Sequence, residues 1–220
     1  MEKFLDVLEK CSLFAGIAPQ ELVEMLRCLD ARFVEMQKDD PVLQEGETVL
    51  QVGIVLQGLV QLVRTDYYGN RSVVSRVEQG QVFGEAYAFS NAQALPICVI
   101  AETDGAVLLI DARRIATCCS NACAFHKTLI YNLLHLVSVE NLMLREKIDI
   151  TSQRTTREKL LAYLLNQAKV QGSDRFTIPF DRQGLADYLE VERSGLSAEI
   201  SKLRKEGILE SEKSYFHLLK

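Results

Sequence analysis

The chain has 220 residues, 48% of them hydrophobic and 25% charged, with a formal net charge of −5. That is enough apolar material for one or two packed domains and excludes a disordered or fibrous protein. No stretch approaches the roughly 20 consecutive apolar residues of a membrane span, and residues 1–10 are charged and amphipathic rather than signal-like, so the expectation is a cytoplasmic protein with no membrane partner.

The acidity is unevenly spread. Residues 153–220 hold 12 Lys or Arg against 10 Asp or Glu, a balance of +2, whereas residues 1–152 hold 13 against 20, a balance of −7. Such asymmetry fits a chain in which only the C-terminal part meets nucleic acid. The six cysteines, Cys11, Cys28, Cys98, Cys118, Cys119 and Cys123, are expected to be reduced thiols rather than a disulfide framework.

Leu5, Leu8, Leu22, Met25, Leu26 and Leu29 predict short helices over Phe4–Leu29, with Pro19 placed to open the second. From Arg32 to Asp111 the pattern changes to short apolar runs: Val49-Leu50, Ile54 to Leu56, Leu59 to Val63, Val73-Val74 and Val107 to Ile110. Glycines punctuate them, and Tyr68-Gly69-Asn70 reads as a hairpin tip, so this region is expected to be an antiparallel β-roll.

Phe125 to Ile150 predicts one long helix. Its Ile130, Leu134, Val137, Asn141, Leu144 and Ile148 alternate four and three apart, the seam of a two-stranded coiled coil, with the polar Asn141 fixing register. A parallel homodimer is therefore expected, a helix packed only on its own domain being the alternative. Thr151 to Thr156 is a polar break, and Arg157 to Ala168 comes next with Leu160, Leu161, Leu164 and Leu165 facing a second core. The fold class is α+β: a β-roll sensor over 1–124, a dimerisation helix and hinge over 125–152, and a winged helix-turn-helix over 153–220.

The last segment carries the chemistry. Phe176 to Phe180 predicts a strand, Asp181 caps a helix over Arg182–Leu189, Glu190 to Glu192 make a turn, and a second helix runs from Arg193 to Glu206, stopped by Gly207. Leu196, Ile200 and Leu203 form its buried face, which leaves Arg193, Ser194, Gly195, Ser197, Ser201 and Lys202 to face base edges and phosphates, with Glu192 just before them. Arg193 is the first candidate for a base contact. Arg182, Gln183, Lys202 and Lys213, the last at the tip of a terminal hairpin or wing, are candidates for the backbone.

These segments in this order resemble the Crp/Fnr family, named for the cyclic-AMP receptor protein and the fumarate-nitrate regulator. The resemblance rests on Leu13 to Ile17, Gly46-Glu47, Gly58-Leu59-Val60, Gly80 to Ala86, Arg154 to Leu164, Ile178 to Leu189 and Arg193-Ser194, and looks most like the version found in anaerobic Gram-positive bacteria. It implies a homodimeric transcription regulator on a palindromic operator, with an effector between roll and long helix, and with RNA polymerase as a further partner if it activates. The effector pocket it implies comprises Phe83, Gly84, Glu85, Ala86, Leu95, Pro96 and Asn141. Cyclic-nucleotide-binding members carry an Arg and a Ser or Thr about ten residues after the Gly84-Glu85 counterpart; here that count reaches Leu95 and Pro96. Without a guanidinium there is no bidentate phosphate partner, so cyclic AMP is not the expected effector. Gly84-Glu85-Ala86 then reads either as a tight turn with a capping carboxylate or as an altered ligand pocket. Relatives usually carry Arg at the position of Ala198 and a better helix former at Gly195, so the resemblance implies either a different base preference or a lower DNA affinity here.

Cys118, Cys119, Cys123 and His126 form a Cys-Cys-x3-Cys-x2-His cluster. Thiolates with an imidazole suit zinc, copper(I) or an iron-sulfur centre, while plain core cysteines are the other reading. Two rival functions complete the field. An enzyme on the roll lacks metal ligands there, because the histidines are His126, His135 and His217, and there is no nucleophile elbow or Walker loop. A cyclic-nucleotide-binding regulator that acts on a protein partner leaves the helix-turn-helix unexplained.

Overall fold

The computed structural model describes residues 2–90, 94–117 and 124–219. The chain divides into two compact units, 1–139 and 140–220.

The first unit opens with helices α1 (Leu5–Lys10) and α2 (Pro19–Cys28), the latter started by Pro19, whose missing N–H costs nothing at a first helical position. Eight strands come after them: β1 (Arg32–Met36), β2 (Pro41–Leu43), β3 (Gln51–Gln57), β4 (Val60–Thr65), β5 (Arg71–Val77), β6 (Val82–Phe83), then after helix α3 (Glu85–Phe89) β7 (Cys98–Ala101) and β8 (Gly105–Asp111). They form two antiparallel four-stranded sheets, ordered β1-β8-β3-β6 and β2-β7-β4-β5. Helices α4 (Ala112–Ala116) and α5 (Ala124–Thr151) come next.

The continuous apolar runs in β3 and β8 have a physical reason. Val52, Ile54 and Leu56 on β3, with Ala106, Leu108 and Ile110 on β8, pack beneath the N-terminal helices and the start of α5, while Val55, Val107 and Leu109 point the other way into the roll. A sheet buried on both faces has no polar side, so alternation disappears. Gly53 belongs to this layer: a Cβ there would fall 2.1 Å from Phe83 Cζ, so only a hydrogen leaves room for the ring. Leu129 and Leu133 of α5 join the outer core, and buried Asn132 donates to the carbonyls of Leu13 (3.0 Å) and Ala15 (2.8 Å). Val49 and Leu50 precede β3 instead of forming a strand of their own. The β4–β5 turn forms at Tyr68-Gly69-Asn70, where Gly69 has φ +84° and Asp66 Oδ1 accepts the N–H groups of Tyr68 and Asn70.

The second unit holds the last turns of α5, then α6 (Thr156–Gln171), β9 (Arg175–Thr177), α7 (Arg182–Leu189), α8 (Arg193–Lys205), β10 (Leu209–Glu212) and β11 (Tyr215–Leu218). Its core joins Ile150, Leu160, Tyr163, Leu164, Phe176, Leu185, Leu189, Leu196, Ile200, Leu203 and Phe216. Leu165 does not face this core as its spacing suggested: it is 56% exposed, and Tyr163 takes the place. At about 100° per residue, Leu160, Tyr163 and Leu164 share one face and Leu165 turns off it. The strand expected over 176–180 stops at Thr177 and becomes the third strand of the wing, giving the order β10-β11-β9. Among the described residues no helix is long and apolar enough to cross a membrane.

Candidate nucleic-acid interface and effector pocket

Asp181 starts α7 by accepting the Gly184 N–H at 2.7 Å, and Leu185, Ala186 and Leu189 bury its inner face. The turn to α8 passes through Glu190 in the left-handed region, φ +54°. Leu196, Ile200 and Leu203 then pin α8 to the core, and Arg193, Ser194, Gly195, Ser201 and Lys202 stand exposed, with Ser197 half-buried and Glu192 exposed as the N-cap. Ser201 donates its hydroxyl to the Ser197 carbonyl at 2.9 Å, so toward a ligand it offers lone pairs only. A Cβ on Gly195 would meet nothing within 4 Å, so packing does not demand a glycine; its absence of side chain widens the exposed surface.

Gln183 is exposed and donates to Asp187 at 2.8 Å, leaving one amide hydrogen free to donate to a phosphate. Arg182 is half-buried over the Phe216 ring, 5.9 Å from its centroid, which ties α7 to the wing. Burial alone lowers its pKa, and among the described residues it has no carboxylate partner. Lys213 occupies the exposed β10–β11 turn at φ +51°. Across the wing, Arg175 donates through Nε to His217 Nε2 at 3.3 Å, and His217 Nδ1 lies 3.2 Å from Glu210 Oε2, a ladder over all three strands.

Behind the helices lies an aromatic cluster, with Tyr188 5.2 Å from Tyr163 and 5.1 Å from Phe180. Burial pushes the Tyr163 phenol up to about 12 and raises Tyr188 as well. A phenol whose folded pKa exceeds the unfolded one stabilises the fold fully below the unfolded value near 10, and that contribution is lost as pH rises toward 12. In an absorbance titration, Tyr163 and Tyr188 are expected to ionise above the ordinary tyrosine value, together with unfolding of this unit. Tyr163→Phe is expected to move that alkaline unfolding to higher pH; an unchanged alkaline limit would count against the assignment.

In the first unit, Gly84 at φ +81° turns the chain from β6 into α3, so Phe83, Gly84 and Glu85 are buried and Ala86 is exposed on the first helical turn. Of the two readings of Glu85, a capping carboxylate or part of an altered pocket, the first is not seen: no side chain caps the start of α3, only 8% of Glu85 is exposed, and its Oε2 has no hydrogen-bond partner. Leu95 is buried in the roll core, and its backbone exchanges hydrogen bonds with Gly46 and Glu47. Pro96 is exposed, and Asn141 is exposed in the other unit. Along α5, Ile130 is half-buried, whereas Leu134 (63%), Val137, Leu144 (61%) and Ile148 are exposed in the isolated chain.

Cys118, Cys119 and Cys123 lie outside the described residues. His126 is buried, tilted against Phe125, and its Nδ1 makes no hydrogen bond. Among the described residues no group of three or more His, Cys, Asp or Glu is placed to hold a metal ion.

Sequence reasoning missed the residues that hold the two reading-unit helices on α6. Arg157 donates to Glu206 at 2.6 and 3.1 Å and to Glu199 at 3.3 Å, and Lys159 donates to the Leu189 carbonyl at 3.2 Å. Partners 30 to 49 residues apart leave no local pattern to find.

Residues 33–122 match the model of the cyclic nucleotide-binding domain, and residues 158–220 match the Crp-like helix-turn-helix domain. Among solved structures the chain is similar to an OCPA-complexed CprK, at 11% identity over 91% of this chain and 89% of that one, TM-score 0.61. It is also similar to CLP, a c-di-GMP-responsive global regulator of Xanthomonas campestris, at 14% identity over 91% and 99% of the two chains, TM-score 0.53. Both likenesses concern the fold. A potassium channel KAT1 of Oryza sativa subsp. japonica is 27% identical over 99 residues, 45% of this chain but 13% of the channel. The chain thus shares one domain with that much longer protein. With both domain models matched in order over more than half its length, the chain belongs to the Crp/Fnr family of DNA-binding transcription regulators.

Proposed function

We propose that the protein is a homodimeric regulator that binds a palindromic operator through α8, reading bases with Arg193 and Ser194 and holding the backbone with Arg182, Gln183, Lys202 and Lys213. One observation carries this reading: α8 buries Leu196, Ile200 and Leu203 and turns an Arg, hydroxyls and a Lys outward from its first turns. The exposed α5 seam supports the two-fold symmetry that a palindrome requires.

The effector binds in the roll at Phe83-Gly84-Glu85-Ala86, Leu95 and Pro96. Cyclic AMP is not that effector. Leu95 is committed to the roll core where a phosphate-binding arginine would be needed, which leaves the cyclic phosphate without a bidentate partner. Calorimetry with cyclic AMP is expected to show no binding heat.

A second reading, a metal or redox sensor built on Cys118, Cys119, Cys123 and His126, is favoured by the buried His126 with its unpartnered Nδ1, a donor set suited to zinc or an iron-sulfur centre. Purification without oxygen, metal and acid-labile sulfide analysis, and selection from randomised DNA at fixed salt with and without air separate the two. A metal-free dimer that selects a palindrome in both atmospheres supports the small-molecule reading. Near-stoichiometric metal, with selection lost in air, supports the sensor, and no selection at all overturns DNA reading.

A further inference from the structure

The first turn of α6 is fixed before it reaches anything else. Thr155 and Glu158 close a capping box, Thr155 Oγ1 accepting the Glu158 N–H at 3.2 Å and Glu158 Oε2 accepting the Thr155 N–H at 3.0 Å. From this turn Arg157 reaches α8 and Lys159 reaches the last turn of α7.

The Arg157 contact is directional. Its guanidinium spans both oxygens of Glu206, at 2.6 and 3.1 Å, and adds Glu199 Oε1 at 3.3 Å. Glu199 lies within α8 and Glu206 is its C-cap, about two helical turns farther on and on the same side, so the fork grips the helix midway and at its end. Apolar packing through Leu196, Ile200 and Leu203 decides which face of α8 is buried, but it is non-directional and specifies small rotations about the helix axis and small slides along it less sharply. A bidentate guanidinium–carboxylate pair specifies both. Glu206 is correspondingly held below the ordinary carboxylate range by Arg157. Neither carboxylate shares the face that carries Ser194 and Ser201.

We propose that Arg157 is a positioning residue for DNA reading: by gripping Glu199 and Glu206 it sets the rotation and register of α8, and so the aim of Arg193 and Ser194. This rests on the reading of α8 as the DNA-contacting helix. Arg157 itself touches no base. Specific binding needs the aim of α8, whereas non-specific binding needs only positive charge near phosphates, so the two affinities respond differently to its loss.

The test uses the full chain, a duplex selected by the wild-type protein from a randomised pool, and an unrelated duplex of equal length at the same salt. Arg157→Ala is expected to weaken the selected duplex about tenfold or more, the size of one misaimed base contact, while the unrelated duplex is bound as before. Arg157→Lys is expected to recover part of the loss, because an ammonium cannot fork. The exchange Arg157→Glu with Glu206→Arg is expected to recover more than either reversal alone. If Arg157→Ala does not fold, Glu199→Gln with Glu206→Gln tests the same grip with Arg157 in place. Unchanged discrimination in the variant that folds, or an equal loss on both duplexes, overturns the proposal. A wild-type protein that selects no sequence overturns the DNA-reading function first, and the proposal with it.

Discussion

Leu144→Glu is expected to leave the protein folded but monomeric at concentrations where the wild type is a dimer, and to abolish preference for a two-half-site operator. Leu144 is 61% exposed in the isolated chain and stands in line with Leu134, Val137, Asn141 and Ile148 along α5. Burying such a side chain in a seam is worth about 1.5–3 kcal/mol, and two-fold symmetry counts each residue twice. A glutamate there removes that term twice and sets two like charges face to face across the axis, a penalty of the same sign. With the dimer gone, the second half-site is no longer held at high effective concentration, so affinity for the paired site is expected to fall by about a hundredfold while a single half-site is bound as before. Leu142 supplies the control: it is 65% exposed on the same helix but off the seam, so Leu142→Glu is expected to stay dimeric. Sedimentation of the two variants decides the matter, and a dimeric Leu144→Glu would remove the seam from the interface.

The parts of this molecule legible in its sequence are those governed by neighbours along the chain. The cap at Asp181, the limits of α7, the start of α8 at Arg193 and the stop at Gly207 are local, and each matches the structure to within a residue. The double burial of β3 and β8 also left a readable mark, since continuous apolar runs replace alternation. Short strands such as β2 and β6 left none, having three and two residues. Helix α3 hid behind a glycine turn because Gly84 marks only the corner, and the helix beyond that corner is settled by burial of Glu85 and Phe83 in the roll. Leu165 misled for the same reason in reverse: a run of leucines satisfies more than one helix face, and only packing around Tyr163 chooses between them. The Arg157 grip depends on the tertiary approach of α6 and α8, which no spacing in the sequence records.

Arg193→Ala is expected to give the largest loss of specific DNA binding of any single change in the reading helix. Arg193 opens α8 as an exposed guanidinium, and the outward positions of the next turns are Ser194, Ala198 and Ser201, with Gly195 and Lys202 at their flank. Among these Arg193 alone has the rigid guanidinium fork that matches a guanine edge in a bidentate pair and distinguishes one base pair from the other three, a contact worth about 1–3 kcal/mol in each half-site. A dimer uses it twice, so the selected palindrome is expected to lose roughly a hundredfold or more, and the selection pattern to relax at one base pair per half-site while the others persist. Lys213→Ala at the wing tip is the contrasting change. A phosphate contact carries no sequence information, so its loss is expected to weaken every duplex alike and to lower the slope of log affinity against log salt by about one per contact removed. If Arg193→Ala instead weakens all duplexes equally and leaves the pattern intact, Arg193 is a backbone contact, and sequence reading passes to Ser194, Ser197 and the methyl surface of Ala198.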